Sequence, residues 1–297
     1  MHVKRFLASA WASVHGPSDP RQMLVAILEA RFAGLAAAPG PRPIDWLAVR
    51  RAAADLPIEF ACVRASNPLG DRSAMAGLAS EKESERLAAV AVVRQAVATA
   101  RQLGCPTVVL EVGVVPMVGQ IEAEDLGDDH YQWTRERAQA LLARRKVGRN
   151  RALDVVCREL FSLVKSFPEI DFCLTTSRSL RAVADLPGLL DVFEDLSQLR
   201  LGYWHDAAIC ARREQVLGEA QGQWLEILCN RIWGISLGDS SVDGVYLPPG
   251  SGGVDYGLLA SYVPSSGAPL PVVLELDLSV PPGELPGMRS CLDKHGL

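Results

Sequence analysis

Three short apolar runs in the C-terminal third of the chain each end in an ionisable residue. Asp206 ends the first run, Asp239 the second and Glu275 the third, and Glu111 ends a similar run earlier in the chain. Carboxylates gathered in one place transfer protons to and from a bound substrate, or they hold a divalent cation. The chemistry therefore depends on whether the fold brings these four residues together.

The elements that would position them alternate regularly along the chain. Eight apolar runs, rich in β-branched or aromatic residues, are separated by helix-like sequence, which is typical of βα units and a parallel sheet. In a (β/α)₈ barrel, polar residues at the C-terminal ends of the strands form the functional site. We therefore expect an α/β fold, a (β/α)₈ TIM barrel, with residues 1–297 as a single domain. The predicted strands are 3–11, 33–38, 58–63, 107–112, 170–175, 201–204, 232–237 and 272–276.

Composition limits the range of partners. The chain has 297 residues, of which 48% are hydrophobic and 22% charged, and its formal net charge is −5. This balance gives no broad attraction for nucleic acid or an anionic membrane, and no apolar stretch is long enough to span a bilayer. Seven cysteines without a CxxC pair indicate reduced thiols. We expect a cytoplasmic protein with no nucleic-acid or membrane partner, and we leave its oligomeric state open.

Several segments together resemble the xylose-isomerase-like TIM barrels, the superfamily of sugar-phosphate isomerases and epimerases that also includes endonuclease IV. The helix predicted from a capping box at Ser80 and Glu83, which Gly104 ends, resembles the segment before the family's fourth strand. The more specific matches are Tyr203-Trp204-His205-Asp206, Ile235-Ser236-Leu237-Gly238-Asp239, the loop at 247–256 and Val273-Leu274-Glu275.

The resemblance implies a divalent metal (Mn, Mg or Zn) held by a glutamate, an aspartate, a histidine and a second glutamate from strands five to eight. Asp206 and Glu275 match two of these positions, whereas Thr175 and Ser236 stand where the first glutamate and the histidine are expected. Ile209 likewise replaces a histidine usual in the family. The sequence leaves open whether this reduced metal site is rearranged or silent.

The resemblance also implies proton transfer through an enediol, with two glutamates flanking the substrate carbon. Glu275 matches one of them and Thr175 replaces the other. A substitute base would have to come from Glu111, Asp206 or His130. We assign Glu275 and Glu111 as candidate catalytic residues, while Glu111 could equally be a salt-bridged residue of the rim.

The candidate substrate contacts each have a structural alternative. An aromatic ring at Trp11 or Trp204 could stack on a sugar or belong to the core. Asp239 could contact the ligand or serve as a turn or cap residue. Backbone N–H groups at Gly250 and Gly252 could bind phosphate, or these glycines could simply permit a tight turn.

His205 is also a candidate substrate contact. Strand alternation turns it to the face opposite Asp206, so a hydrogen-bonded histidine behind the strand is its structural alternative.

A basic stretch at 135–151 invites a nucleic-acid interpretation, but in a helix its charges spread around the cylinder, which favours a solvated face. Endonuclease IV has a histidine-rich zinc site, and this chain has only five histidines, so DNA repair is disfavoured. Two hypotheses remain. One is a divergent isomerase or epimerase acting on a small carbohydrate. The other is a catalytically silent barrel that binds a small polar ligand or a protein partner.

Overall fold

The computed structural model describes residues 3–65, 77–242 and 244–297. Eight parallel strands form a closed barrel in the order β1-β10-β7-β6-β5-β4-β3-β2, and β8 and β9 form a separate hairpin. The predicted (β/α)₈ barrel is therefore confirmed. The strands are β1 Val3–Ala8, β2 Gly34–Ala37, β3 Glu59–Arg64, β4 Thr107–Leu110, β5 Asp171–Thr175, β6 Leu201–Asp206, β7 Ile232–Leu237, β8 Asp239–Ser241, β9 Gly244–Leu247 and β10 Leu270–Leu274.

Helices surround the barrel and bury their apolar faces against its outer surface. No helix of the described residues is long and apolar enough to cross a membrane. The helices are α1 Ser9–His15, α2 Pro20–Glu29, α3 Trp46–Ala52, α4 Glu83–Leu103, α5 Arg135–Ser166, α6 Leu186–Asp195, α7 Ala207–Leu217, α8 Gln221–Leu228, α9 Tyr256–Ser261 and α10 Leu285–His295.

Strand alternation decides which residues reach the C-terminal mouth of the barrel. The inner face holds a small apolar cluster that includes Cys62, Val109, Cys173, Trp204 and Val273. Side chains two residues apart on a strand lie on the same face. The residue two positions C-terminal to each member of this cluster therefore points inward at the mouth. On this rule the mouth layer is Arg64, Glu111, Thr175, Asp206, Ser236 and Glu275.

Some predicted boundaries are wrong. The first strand ends at Ala8, so Trp11 lies in α1. Ser80 is not a helix cap: α4 has Lys82 as its N-cap, and the Ser80 hydroxyl accepts a hydrogen bond from the Lys82 N–H at 3.1 Å. Gly104 does end α4, as predicted, in the left-handed conformation that glycine adopts freely (φ 68°).

Two further differences concern the last third of the chain. The sequence between β6 and β7, where we predict a helix over 214–229, forms two helices, α7 and α8. Gly218, with a φ of 77°, is the C-cap of α7 and separates them. The β8–β9 hairpin, which the alternation pattern does not reveal, follows β7 directly and lies against α7.

Candidate functional site

A buried arginine lies in the barrel mouth. Arg64 is the last residue of β3 and is only 3% exposed. Its Nη1 donates a hydrogen bond to Ser236 Oγ at 3.1 Å and lies 3.9 Å from Glu275 Oε2. Burial opposes its charge, but attraction by Glu275, Tyr246 and Asp206 raises the pKa of Arg64 above its ordinary value. The mouth therefore contains a permanently charged guanidinium.

Glu275 is the residue directly after β10, and its carboxylate faces this guanidinium. It is fully buried, and its backbone N–H donates to the Leu237 carbonyl at 2.7 Å, which fixes its position. Neither carboxylate oxygen has a hydrogen-bond partner within the described ranges. Burial raises the pKa of Glu275 to about 7, with Arg64 opposing that shift and Asp206 adding to it. A carboxyl group with a pKa near 7 suits general acid–base chemistry at neutral pH.

Asp206 combines a place in the mouth with the capping of a helix. It ends β6 and is the N-cap of α7, where its Oδ1 accepts a hydrogen bond from the Ile209 N–H at 3.1 Å. Its Oδ2 accepts a hydrogen bond from the Tyr246 hydroxyl at 2.9 Å. Burial raises the pKa of Asp206, and the charge of Arg64 counteracts part of that shift. Both oxygens are thus engaged by donors from the protein itself.

Tyr246 comes from β9, in the hairpin that the sequence did not predict. It is 1% exposed and has a φ of 61°, a left-handed conformation that is unfavourable for a bulky residue. Such strain costs roughly 1–3 kcal/mol and persists where the surroundings fix the residue, often at functional sites. Here the carbonyl of Tyr246 accepts a hydrogen bond from the Asp277 N–H at 2.8 Å. This contact fixes the backbone of the residue whose hydroxyl donates to Asp206.

Trp204 and Ser236 form the floor of the mouth. Trp204 is fully buried, and its indole N–H donates to Ser236 Oγ at 3.0 Å. Ser236 Oγ therefore accepts hydrogen bonds from both the floor and Arg64. The indole ring fits because β7 has glycine at 234, where an added Cβ would lie 2.2 Å from a ring carbon of Trp204. Trp204 is thus part of the packed interior beneath the mouth.

Glu111 and Arg178 add charge around the mouth. Glu111 follows β4 and is half-buried. Its negative charge contributes to raising the pKa of both Arg64 and Arg178. Arg178 forms an ion pair with Asp125 whose shortest contact is 2.5 Å. Glu111 therefore belongs to the electrostatic environment of the mouth.

Several buried polar atoms of the mouth have no hydrogen-bond partner in the part of the chain that the structure describes. They are Arg64 Nε, Thr175 Oγ1 and both carboxylate oxygens of Glu275. Buried polar groups in native proteins are nearly always satisfied by protein, water or ligand. These atoms include a donor, two acceptors and a hydroxyl that can do either. Water or a small polar ligand would satisfy them.

The residues of the mouth do not fit a divalent metal ion. Such ions take several oxygen or imidazole ligands, and the positions of Thr175 and Ser236 offer only neutral hydroxyls. Among the described residues, no group of three or more His, Cys, Asp or Glu is arranged to hold a metal ion. Asp206 and Glu275, the two ligands expected from the sequence, are accompanied by the guanidinium of Arg64 instead.

Two candidate substrate contacts lie away from the mouth. His205 faces the helix layer, where its Nδ1 shares a hydrogen bond with the Tyr203 hydroxyl at 3.1 Å. Burial lowers the pKa of His205 to about 3, so the ring is neutral. Trp11 packs in the core beside α10, and its indole N–H donates to the Val280 carbonyl at 2.8 Å. Both side chains therefore occupy the structural places that the sequence offered as alternatives.

Asp239 organises the glycine-rich loop. Its buried carboxylate accepts hydrogen bonds from the N–H groups of Ser240 at 2.9 Å, and of Gly250 and Val254 at 3.0 Å. A Cβ at Gly252 would lie 2.3 Å from the Ser240 carbonyl oxygen, so this position requires glycine. The N–H of Gly250 is thus used within the loop, and the geometry favours the tight-turn interpretation over phosphate binding.

The basic residues of α5 are largely used inside the chain. The Arg145 guanidinium is buried, pairs with Asp185 and donates to the Ala182 carbonyl at 2.6 Å. Two neighbouring arginines form further ion pairs, Arg149 with Asp191 at 2.6 Å and Arg151 with Glu81 at 2.9 Å. These contacts anchor α5 to the neighbouring segments of the barrel.

Sequence reasoning missed Arg64, Tyr246 and Arg178. The predicted third strand stops at residue 63, one short of Arg64, although alternation from Cys62 places Arg64 on the inner face. Tyr246 lies on an unpredicted hairpin, so no periodic signal pointed to it. The position of Arg178 depends on a pairing with Asp125, 53 residues earlier, and no local pattern shows such a contact.

Comparison with known proteins places the fold. No family model matches the chain, and no curated protein matches its sequence. A D-tagatose 3-epimerase-like protein superposes with a TM-score of 0.69 at 14% identity, covering 99% of this chain and 97% of that chain. The 3-keto-D-glucoside 4-epimerase YcjR from E. coli gives 0.66 at 12% identity, covering 98% and 99%. The IOLI protein with a bound zinc atom gives 0.61 at 10% identity, covering 99% and 95%.

At such low identity these likenesses establish the fold alone. The chain shares the (β/α)₈ barrel fold of these proteins at low sequence identity.

Proposed function

We propose that the barrel mouth binds a small carbohydrate carrying a carbonyl group, and that Glu275 transfers a proton on it in an isomerase or epimerase reaction. The observation that carries this proposal is the set of buried polar atoms at Arg64, Thr175 and Glu275 that have no partner among residues 3–65, 77–242 and 244–297. A polyhydroxy carbonyl compound supplies what they lack. Its hydroxyls donate to a carboxylate, and its oxygens accept from a guanidinium.

The positions of the two candidate catalytic carboxylates support this chemistry. In the closed strand order β4 lies four strands from β10, so Glu111 and Glu275 extend from opposite sides of the eight-stranded ring. A ligand between them would present its two faces to different carboxylates. Epimerisation requires that a proton leave one face of a carbon and return to the other. Both oxygens of Asp206 already accept hydrogen bonds, which makes it a less suitable base.

The proposed step uses only groups of this chain. The Glu275 carboxylate takes a proton from the carbon next to the ligand carbonyl, and the C–H electron pair moves so that negative charge develops on the carbonyl oxygen. Arg64 donates a hydrogen bond to that oxygen, and a fixed cation in a buried site stabilises such charge strongly. In epimerisation, Glu111 in its protonated form delivers its own proton to the opposite face of the same carbon, the carbonyl re-forms, and Glu275 is left protonated and Glu111 ionised. In isomerisation, Glu275 returns the proton to the former carbonyl carbon, while the hydroxyl proton on the first carbon moves to the former carbonyl oxygen and a new carbonyl forms there.

The named structural neighbours are consistent with this assignment. YcjR is described as a 3-keto-D-glucoside 4-epimerase, and two further neighbours are an L-ribulose 3-epimerase and a D-allulose 3-epimerase in complex with D-allulose. These descriptions belong to those proteins, and the shared fold brings only their architecture to this chain. They do guide the choice of ligands for a first test.

A second candidate function follows from the contact between Arg64 and Glu275. Their separation of 3.9 Å in this structure lets the cation neutralise the base, which would suit a barrel that binds its ligand without reaction. The two functions share one site and differ in whether carbon-bound hydrogen exchanges with solvent.

Proton NMR in D₂O separates the two. The protein is incubated with ketohexoses and aldohexoses, and binding and deuterium incorporation next to the carbonyl are followed. We expect one sugar to bind and to exchange, and Glu275→Gln to bind it without exchange. Glu226→Gln, which alters an exposed glutamate of α8, is the control and should exchange normally. Binding without exchange in the wild type would favour the silent barrel, and no binding of any sugar would contradict both functions.

A further inference from the structure

The mouth of this barrel has a cation of its own. Asp206 and Glu275 are both buried, and the carboxylates of both attract the Arg64 guanidinium. Arg64 is only 3% exposed, so its guanidinium is shielded from solvent. Two buried carboxylates thus have an internal counter-ion.

This counter-ion is anchored from below. Nη1 of Arg64 donates to Ser236 Oγ, which also accepts from the indole of Trp204. A serine at this position is small enough to leave room for the guanidinium and supplies the acceptor that holds it. Ser236 stands where the family resemblance implies a histidine. Here its hydroxyl holds the Arg64 guanidinium in place.

A metal ion would meet this cation directly. An ion bound to Glu275 Oε2 would lie beside a guanidinium nitrogen that is already 3.9 Å from that oxygen. Like charges at this separation repel, and Arg cannot lose its proton in the accessible pH range. The neutral side chains of Thr175 and Ser236 provide no charge to compensate.

We propose that Arg64 takes the place of a divalent metal ion at the barrel mouth, so that the site excludes such ions and binds the carbonyl or carboxylate oxygen of its ligand through a guanidinium. The buried Nε–H of Arg64, which has no partner among the residues that the structure describes, is the donor available to that oxygen. The ligand class follows from this donor: the carbonyl oxygen of an oxo sugar or the carboxylate of a sugar acid is a stronger acceptor for a guanidinium than the hydroxyl oxygens of a polyol. Ion binding is measurable without any substrate, so this inference fails or holds independently of the proposed reaction.

Metal binding by designed variants tests the inference. Equilibrium dialysis against Mn²⁺ or Zn²⁺, followed by elemental analysis, is applied to the wild type and to two variants. One variant, Thr175→Glu with Ser236→His, adds two ligands and keeps Arg64; the other also carries Arg64→Ala. We expect no stoichiometric metal at the mouth of the wild type and one equivalent in the triple variant. The double variant should bind at least about 30-fold more weakly, the ratio that repulsion of a monovalent and a divalent cation 4 Å apart gives even in water.

Two further measurements protect the test against misfolding. Adding Arg64→Lys to the double variant keeps the charge without the planar fork, and it should still exclude metal. If the triple variant does not fold, the single variant Arg64→Ala is heated with and without millimolar methylguanidinium, and we expect this ion to raise its melting temperature while leaving that of the wild type unchanged. One equivalent of Mn²⁺ or Zn²⁺ in the wild type that Asp206→Asn removes would overturn the inference. Equal metal affinity with and without Arg64, or no effect of methylguanidinium, would overturn it as well.

Discussion

The dependence of stability on pH should reveal the unusual state of Glu275. Its pKa is about 7 in the folded protein, against an ordinary value of 4.5. Between these values the folded state holds a proton that the unfolded state has lost, so stability is greatest below pH 4.5 and declines as pH rises through 7. For this group alone the loss between pH 5 and pH 8 amounts to about 2.5 kcal/mol. Glu275→Gln removes the titrating group, so its stability should lack this decline.

Urea denaturation at several pH values between 5 and 8 measures the difference. The relevant quantity is how the free energy of unfolding of Glu275→Gln, relative to wild type, changes with pH, because all other titrating groups are common to both proteins. We expect the variant to gain about 2.5 kcal/mol on the wild type across this range. Glu226→Gln serves as control and should run parallel to the wild type, since residue 226 is exposed. Parallel curves for Glu275→Gln would refute the buried, proton-holding glutamate.

Three further changes probe the surroundings of the mouth. Gly234→Ala should lower the free energy of unfolding by about 1–3 kcal/mol in thermal or urea denaturation, since the new methyl would lie 2.2 Å from the Trp204 ring; unchanged stability would contradict this packing. Tyr246→Phe removes a hydrogen bond to the buried Asp206, so we expect a loss of about 1–3 kcal/mol, and an effect near zero would show that the hydroxyl is not bound there. His205 has its pKa lowered to about 3, so the unfolded state takes up its proton first and stability should fall as pH drops below about 6.5; His205→Gln should show a smaller decline, and an identical acid profile would contradict a buried neutral ring.

The barrel could be predicted from the sequence because its pattern is local. Each strand is a short apolar run followed by helix-like sequence, and eight such units close into the observed ring. The same reasoning places Asp206 at the C-terminal end of β6 and Glu275 directly after β10. The structure brings both carboxylates close to Arg64. Position along a strand is therefore enough to find residues of the mouth.

The electrostatic character of the mouth could not be predicted in this way. Arg64 contacts Ser236, which lies 172 residues away, and such a pairing has no periodic signature. Tyr246 reaches Asp206 from a hairpin whose backbone is strained, a conformation that residue preferences argue against. The loop glycines suggested an anion site, but Asp239 satisfies the Gly250 N–H from within the chain. In each case a long-range partner decides what a locally ambiguous residue does.

A crystal structure of the protein soaked with the sugar that binds most tightly tests the central claim most directly. We expect the sugar in the barrel mouth, with one of its oxygens within hydrogen-bond distance of Arg64 Nε and a hydroxyl or reacting carbon against the Glu275 carboxylate. A sugar bound elsewhere on the molecule, or a metal ion between Asp206 and Glu275 with Arg64 displaced, would contradict the claim.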